Sequence, residues 1–134
     1  MAVLKNRAKM STSTTGAGTI TLGSALSGYQ SFTAAGLTTG AITRYTIQDG
    51  VNWEIGLGTY TTSGTTLTRT PSESSSGGSA ISLSGNAEVF ITAAAEDVSP
   101  LYDANFVTQT TSSFNGPSAT GTDAIAIGLD ALAS

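Results

Sequence analysis

An all-β fold is predicted for this chain, and three observations predict it. Ser and Thr supply 41 of the 134 residues and Gly another 16, while charged residues make up only 10%. No amphipathic helical period runs for more than about two turns. Thr, Val, Ile, Tyr and Phe gather instead in short runs between Gly- and Ser-rich breaks, the pattern of several short strands. About seven such runs fall between residues 17 and 95, enough for a small antiparallel β-sandwich or barrel.

The first run, residues 18–23, alternates, with Ile20 and Leu22 on one face. Residues 29–34 form a second candidate strand, with Phe32 as its core residue. Residues 41–48 alternate clearly: Tyr45 and Ile47 face one way, and Arg44, Thr46 and Gln48 the other. Asp49-Gly50 follows. Between two alternating runs it predicts a hairpin with a type I′ turn, which needs positive φ at both central residues. In residues 52–60, Trp53, Ile55 and Leu57 share the face expected to be core, and Asn52 and Glu54 the polar one. Gly56 and Gly58 inside that run predict a bulge or a close backbone approach. Residues 65–70 read as a strand with Leu67 inward, and residues 71–78 as a polar loop without an apolar residue to bury. Residues 80–84 and 88–93 complete the set, with Ile81, Leu83, Val89 and Ile91 in the core. Four segments follow: an extended arm at 1–16, a β-domain at 17–95, a connector at 96–117 bounded by Pro100 and Pro117, and a distinct tail at 118–134.

Composition excludes several functions. Cys and His are both absent. No disulfide, thiolate nucleophile, Cys/His zinc site or imidazole base is available. No apolar run reaches the length of a membrane-spanning helix, and the start carries no apolar segment of a secretory signal. The net charge of −4 is uneven. Lys5, Arg7 and Lys9 stand in the first ten residues. Beyond them, two basic residues face nine acidic ones, a balance of −7. An acidic body argues against nucleic-acid binding, which needs clustered Lys and Arg. In an extended arm, Lys5, Arg7 and Lys9 would point from one face, so they are the candidate residues for docking onto an acidic partner; a solvated arm is the alternative.

The tail carries a repeat. Gly121 and Gly128, Asp123 and Asp130, Ala124 and Ala131, and the series Ala119, Ala126, Ala133 are each spaced by seven. A coiled coil would not place Gly in its heptad or alternate Ala-Ile-Ala-Ile. The alternation is a strand period inside a seven-residue repeat, as in a coiling β-solenoid. The next Gly is expected at position 135, and the natural chain is expected to continue beyond Ser134. One or two coils cannot bury their apolar edges alone, so further repeats or identical chains must cover them.

Residues 123–134, Asp-Ala-Ile-Ala-Ile-Gly-Leu-Asp-Ala-Leu-Ala-Ser, resemble the head repeats of trimeric autotransporter adhesins. Ala126, Ile127, Gly128 and Ala133 match that pattern, while Asp130-Ala131 departs from its small polar residue. The resemblance implies the start of a trimeric β-roll stalk, with Ile125, Ile127, Leu129 and Leu132 at or near the axis of a homotrimer. Residues 7–23, Ser27-Gly-Tyr-Gln-Ser-Phe32, Tyr45-Thr-Ile-Gln-Asp-Gly-Val-Asn-Trp-Glu-Ile-Gly-Leu-Gly-Thr-Tyr60, and the later runs at 65–70, 74–79 and 88–92 are similar to the start of many tailed-phage virion proteins. That likeness implies a module anchoring a fibre to the particle, on a tail adaptor or nozzle or on a capsid protein. A host receptor would be met by a distal part beyond this sequence.

Single residues add little chemistry. Trp53 could stack on a sugar, but its shared face with Ile55 and Leu57 favours core. Asp49 and Glu54 could form a carboxylate pair for glycoside hydrolysis, yet Asp49 belongs to the turn and Glu54 to an ordinary polar face. The Gly-rich stretches at 16–19 and 74–78 lack a P-loop lysine and dinucleotide spacing. Asp123 and Asp130 are too sparse for a calcium site. The expectation is a non-enzymatic structural protein of a bacteriophage virion, without cofactor or metal and assembled in the host cytoplasm. The alternatives are a capsid decoration protein and a carbohydrate-binding surface adhesin. An adhesin would need a signal peptide, and a depolymerase would need acidic clusters on a long β-helix.

Overall fold

Runs of β-branched and aromatic residues, each closed by Gly or Ser, form strands, and closing a sheet on itself is one way to hide its edges. The computed structural model describes residues 2–98. The chain divides into a compact unit at Met1–Ala94 and a second at Ala95–Ser134. The first unit contains nine strands: β1 (Lys9–Thr12), β2 (Thr15–Gly16), β3 (Ile20–Ala25), β4 (Ile42–Asp49), β5 (Asn52–Thr61), β6 (Thr66–Leu67), β7 (Thr70–Ser74), β8 (Leu83–Ser84) and β9 (Ala87–Ile91). The main sheet runs β4-β9-β1-β3-β6-β5-β7, and β4 also pairs with β5. All these pairings are antiparallel. Six strands therefore close into a barrel, with β7 added along the first half of β5 and a small β2–β8 sheet beside it.

The interior is filled by Ala8, Met10, Ile20, Leu22, Phe32, Leu37, Tyr45, Ile47, Tyr60, Leu67, Ile81, Leu83, Val89 and Ile91. Ile20, Leu22, Phe32, Tyr45, Ile47, Leu67, Ile81, Leu83, Val89 and Ile91 are thus inside as expected. The Phe32 and Tyr60 rings pack at 5.7 Å between centroids.

Several expectations are corrected. Residues 1–16 are not a separate extended arm: Lys9–Thr12 is a barrel strand between β9 and β3, and Ala8, Met10 and Thr12 are buried. Small and apolar side chains at alternate positions are what let that stretch enter the sheet. Residues 29–34 form no strand; Phe32 enters the core from a series of turns. The expected polar loop at 71–78 begins as β7, which pairs with β5. It accepts Pro71 because β7 is an edge strand.

The largest correction is the face of β5. Glu54, Gly56, Gly58 and Tyr60 point inward, while Trp53 is 40% exposed and Ile55 and Leu57 are half-buried. The backbone explains the inversion. A Cβ on Gly56 would lie 2.3 Å from the Thr70 carbonyl oxygen, and one on Gly58 would lie 2.2 Å from that of Thr68. Only a face carrying glycines lets the chain at 68–71 pass so close, and period 2 then turns Glu54 and Tyr60 inward with them. The expected close approach at both glycines is present, and a register shift falls between Ile55 and Gly56.

The β4–β5 hairpin forms, with Asp49 opposite Asn52. Its two loop residues are Gly50 and Val51, and among the loop residues only Gly50 has positive φ, at 65°. That is the backbone pattern of a type II′ turn, with Gly at the first central position, rather than type I′. The tail segment 118–134, including Ile125, Ile127, Leu129 and Leu132, lies outside the described residues, as does most of the connector at 96–117.

Candidate functional site

The strongest concentration of chemistry is inside the barrel. β5 turns Glu54 inward, β4 turns Tyr45 inward, and the chain between β6 and β7 delivers Arg69. Glu54 and Arg69 have side chains only 0% and 1% exposed. Each polar atom of the pair is used. Glu54 Oε1 accepts from the Tyr45 hydroxyl at 2.7 Å and from Arg69 Nε at 3.0 Å. Oε2 accepts from Arg69 Nη2 at 2.5 Å and from the Ile81 backbone N–H at 2.8 Å. Arg69 Nη2 also donates to the Ile81 carbonyl at 2.7 Å, and Nη1 donates to the carbonyls of Gly16 and Gly18 at 3.2 and 3.3 Å. The five guanidinium donors and the four carboxylate lone-pair positions all find partners.

The titration of this cluster follows from its geometry. Burial pushes the Glu54 carboxyl up, but the hydrogen bonds from Arg69, Tyr45 and Ile81 and the guanidinium charge outweigh it and hold its pKa below the ordinary value. Burial, reinforced by the Glu54 carboxylate, drives the Tyr45 hydroxyl far above its ordinary value, so it stays a donor. An ionised carboxylate with no free lone pair and no path to solvent cannot serve as a general base or nucleophile. The arrangement is a lock that ties β4, β5, the approach to β7 and the segments at 16–18 and 81 into one body.

Asp49, the other half of the considered carboxylate pair, does something different. It is 8% exposed and accepts from the Ser84 N–H at 2.6 Å and the Ser84 hydroxyl at 2.7 Å. It fastens the hairpin to β8, and Glu54 faces another set of partners. Among the described residues, no group of acidic side chains could hold a metal ion.

The three basic candidates do not extend from one face of an arm. Asn6 and Arg7 form a turn, with Arg7 at φ 55°. The Arg7 guanidinium stacks 4.1 Å over the Tyr29 ring and donates to the Gly28 carbonyl at 2.8 Å. Lys9 pairs with Glu88 at 2.8 Å, its ammonium 5.3 Å from the Tyr29 ring and 5.2 Å from that of Phe90. Lys5 lies against Gly36. The Gly-rich stretch at 16–19 supplies carbonyls to Arg69, and in the other the Ser74 hydroxyl accepts from the N–H groups of Ser76 and Gly78. Asp123 and Asp130 lie outside the described residues. An open groove of ≈ 300 Å³ lined by Ser11, Thr12, Gly23, Leu26, Asn86 and Glu88 among others marks the seam of β1, β3 and β9.

Sequence reasoning missed Arg69 and Tyr45 as partners of Glu54. The signal was present: an arginine set in the otherwise uncharged run at 65–72, in a body with only two basic residues, implies a specific buried acid. No protein-family model matches the chain, and no curated protein or solved structure matches it either.

Proposed function

We propose that this chain is a structural, non-enzymatic part of a bacteriophage virion, the N-terminal portion of a trimeric tail or head fibre that joins the fibre to the particle. The observation that carries the reading is the order of parts along the chain. A barrel whose buried Glu54–Arg69 pair is spent on its own closure is followed by the seven-residue Gly, Asp and Ala repeat of residues 118–134. The resemblance of the runs at 7–23, 27–32, 45–60, 65–70, 74–79 and 88–92 to the starts of phage virion proteins supports it. The locked Glu54 carboxylate supports a mechanical rather than a hydrolytic role. The particle-side partner is then a tail adaptor, nozzle or capsid protein. No helix among the described residues is long and apolar enough to cross a membrane. The test is proteomic analysis of purified particles combined with electron microscopy using an antibody raised against the barrel. Label at the particle-proximal end of a fibre is expected. Particles that lack the chain would overturn the proposal.

One observation favours a second reading, a carbohydrate-binding surface protein. Trp53 points outward, directly across from the exposed Gln48, so the indole is open to a sugar ring. Glycan-array binding abolished by Trp53→Ala would establish this reading.

A further inference from the structure

We propose that Arg7, stacked on Tyr29, is a preorganised receptor for a carboxylate on an acidic segment of a partner protein. The proposal rests on the anchoring role in that it names the chemistry by which the barrel would grip its neighbour. Three observations place the site. First, Arg7 is exposed yet held. Its guanidinium carbon lies 4.1 Å over the Tyr29 ring and the group is tethered to Gly28, and its backbone is pinned because Gln30 N–H donates to the Arg7 carbonyl at 2.7 Å and Lys9 N–H to that of Gln30 at 3.1 Å. Second, Arg7 occupies a left-handed conformation that side chains rarely adopt. A Gly or Asn would sit there more easily, so the backbone conformation gives no reason for an arginine. Third, the two neighbouring cations differ. Lys9 is already neutralised by Glu88, whereas among the described residues Arg7 forms no ion pair and donates only to Gly28.

A guanidinium held over an aromatic ring, with donors left beyond the one spent on Gly28, fits a planar carboxylate in bidentate fashion. Charge complementarity selects a short acidic protein segment. A nucleic-acid backbone would bring many phosphates against a body that carries −7 beyond residue 10, with Glu88 close by.

The test follows the arginine side-chain Nε–H resonances of the full chain by ¹H–¹⁵N NMR, with blocked tri-aspartate peptide and a ten-nucleotide oligothymidylate as probes at low salt. Saturable movement of the Arg7 resonance with the peptide is expected, with Arg44 and Arg69 unmoved, and it should weaken as salt is raised. Tyr29→Leu should weaken peptide binding by about two- to five-fold, the worth of an exposed cation–π contact. Lys9→Gln should change it by less than about two-fold. Arg7→Gly should abolish binding while the thermal midpoint stays level or rises. A lowered midpoint in Arg7→Gly would make the stack a structural device and overturn the proposal. So would an Arg7 resonance that does not saturate, or one that responds as strongly to the oligonucleotide. Peptide binding with this pattern in a chain absent from particles would keep the receptor and discard the fibre reading. Loss of the pattern in a chain that is present in particles would do the reverse.

Discussion

Glu54 and Arg69 face each other in a site without water access, and what surrounds them decides how a substitution there is felt. Replacing an isolated buried ion pair by apolar residues is often neutral. Here the replacement would also strand the N–H and carbonyl of Ile81, the carbonyls of Gly16 and Gly18, and the Tyr45 hydroxyl. The double variant Glu54→Leu/Arg69→Met is therefore expected to be destabilised. Glu54→Gln alone should cost about 3–5 kcal/mol, because it leaves a buried guanidinium uncompensated. Tyr45→Phe removes one donor of four and should cost about 2 kcal/mol, the worth of a hydrogen bond to a charged group. Urea denaturation of each variant checks the order. The pH dependence follows from the same atoms. Because the folded pKa of Glu54 lies below its unfolded value, its contribution is complete above the ordinary glutamate pKa of about 4.3 and is lost as the pH falls through the folded value. Stability of the parent chain should decline in that acid window, and Glu54→Gln should decline less steeply there. Tyr45 has the opposite sign: with its folded pKa raised, stability is lost as the pH climbs past about 10, and Tyr45→Phe should remove that part of the alkaline slope.

At the scale of the strand, β5 shows how a correct period can be assigned to the wrong face. Its alternation was legible, and so was the pairing of Tyr45 and Ile47 in the core. Hydrophobicity alone then put Trp53, Ile55 and Leu57 inside. The deciding fact is a backbone one: the chain at 68–71 passes so close to Gly56 and Gly58 that no side chain fits between. Two glycines two residues apart on one strand face are the trace of that approach. Read as a close-packing signal, they would have turned Glu54 inward and called for Arg69. The type of the hairpin turn was not legible, since Asp-Gly suits one frame and Gly-Val the other, shifted by one residue. Two glycine substitutions separate these causes. Gly50→Val meets no atom within 4 Å but must hold φ near 65°, so a cost of about 1–3 kcal/mol from strain alone is expected. Gly56→Ala keeps an ordinary φ but drives a Cβ into the Thr70 carbonyl, the Pro71 Cα and the Tyr45 hydroxyl. Because two of these are backbone atoms, relief requires β7 to move, and the loss should be about 3 kcal/mol or more. Thermal melts in which Gly56→Ala is milder than Gly50→Val would contradict the close-approach account.

At the scale of the whole molecule, the question is what each unit needs from other copies. The Met1–Ala94 unit closes its sheet, buries Phe32, Tyr45, Tyr60 and their neighbours, and pairs buried Glu54 with buried Arg69 inside the barrel. That many residues can fold alone. Whether it was a sandwich or a barrel was not legible, because closure depends on β4, already paired with β5 in a hairpin, also pairing with β9, a strand far along the chain. If the repeat at 118–134 forms the coils its spacing predicts, two are too few to cover their own edges. If Ile125, Ile127, Leu129 and Leu132 line a shared axis, the ability to form a trimer resides entirely beyond residue 94. A fragment of residues 1–94 should then melt cooperatively, at a temperature independent of its concentration, and sediment as a monomer. The full chain should sediment at about 40 kDa, three copies of 13.4 kDa, and its melting should shift upward with concentration, as mass action requires of a folded oligomer. Ile127→Asp should return the full chain to a monomer and leave the barrel's own transition in place. A trimeric 1–94 fragment would move assembly to the barrel surface, where Trp53, Ile55 and Leu57 face outward, and a monomeric full chain would end the fibre proposal.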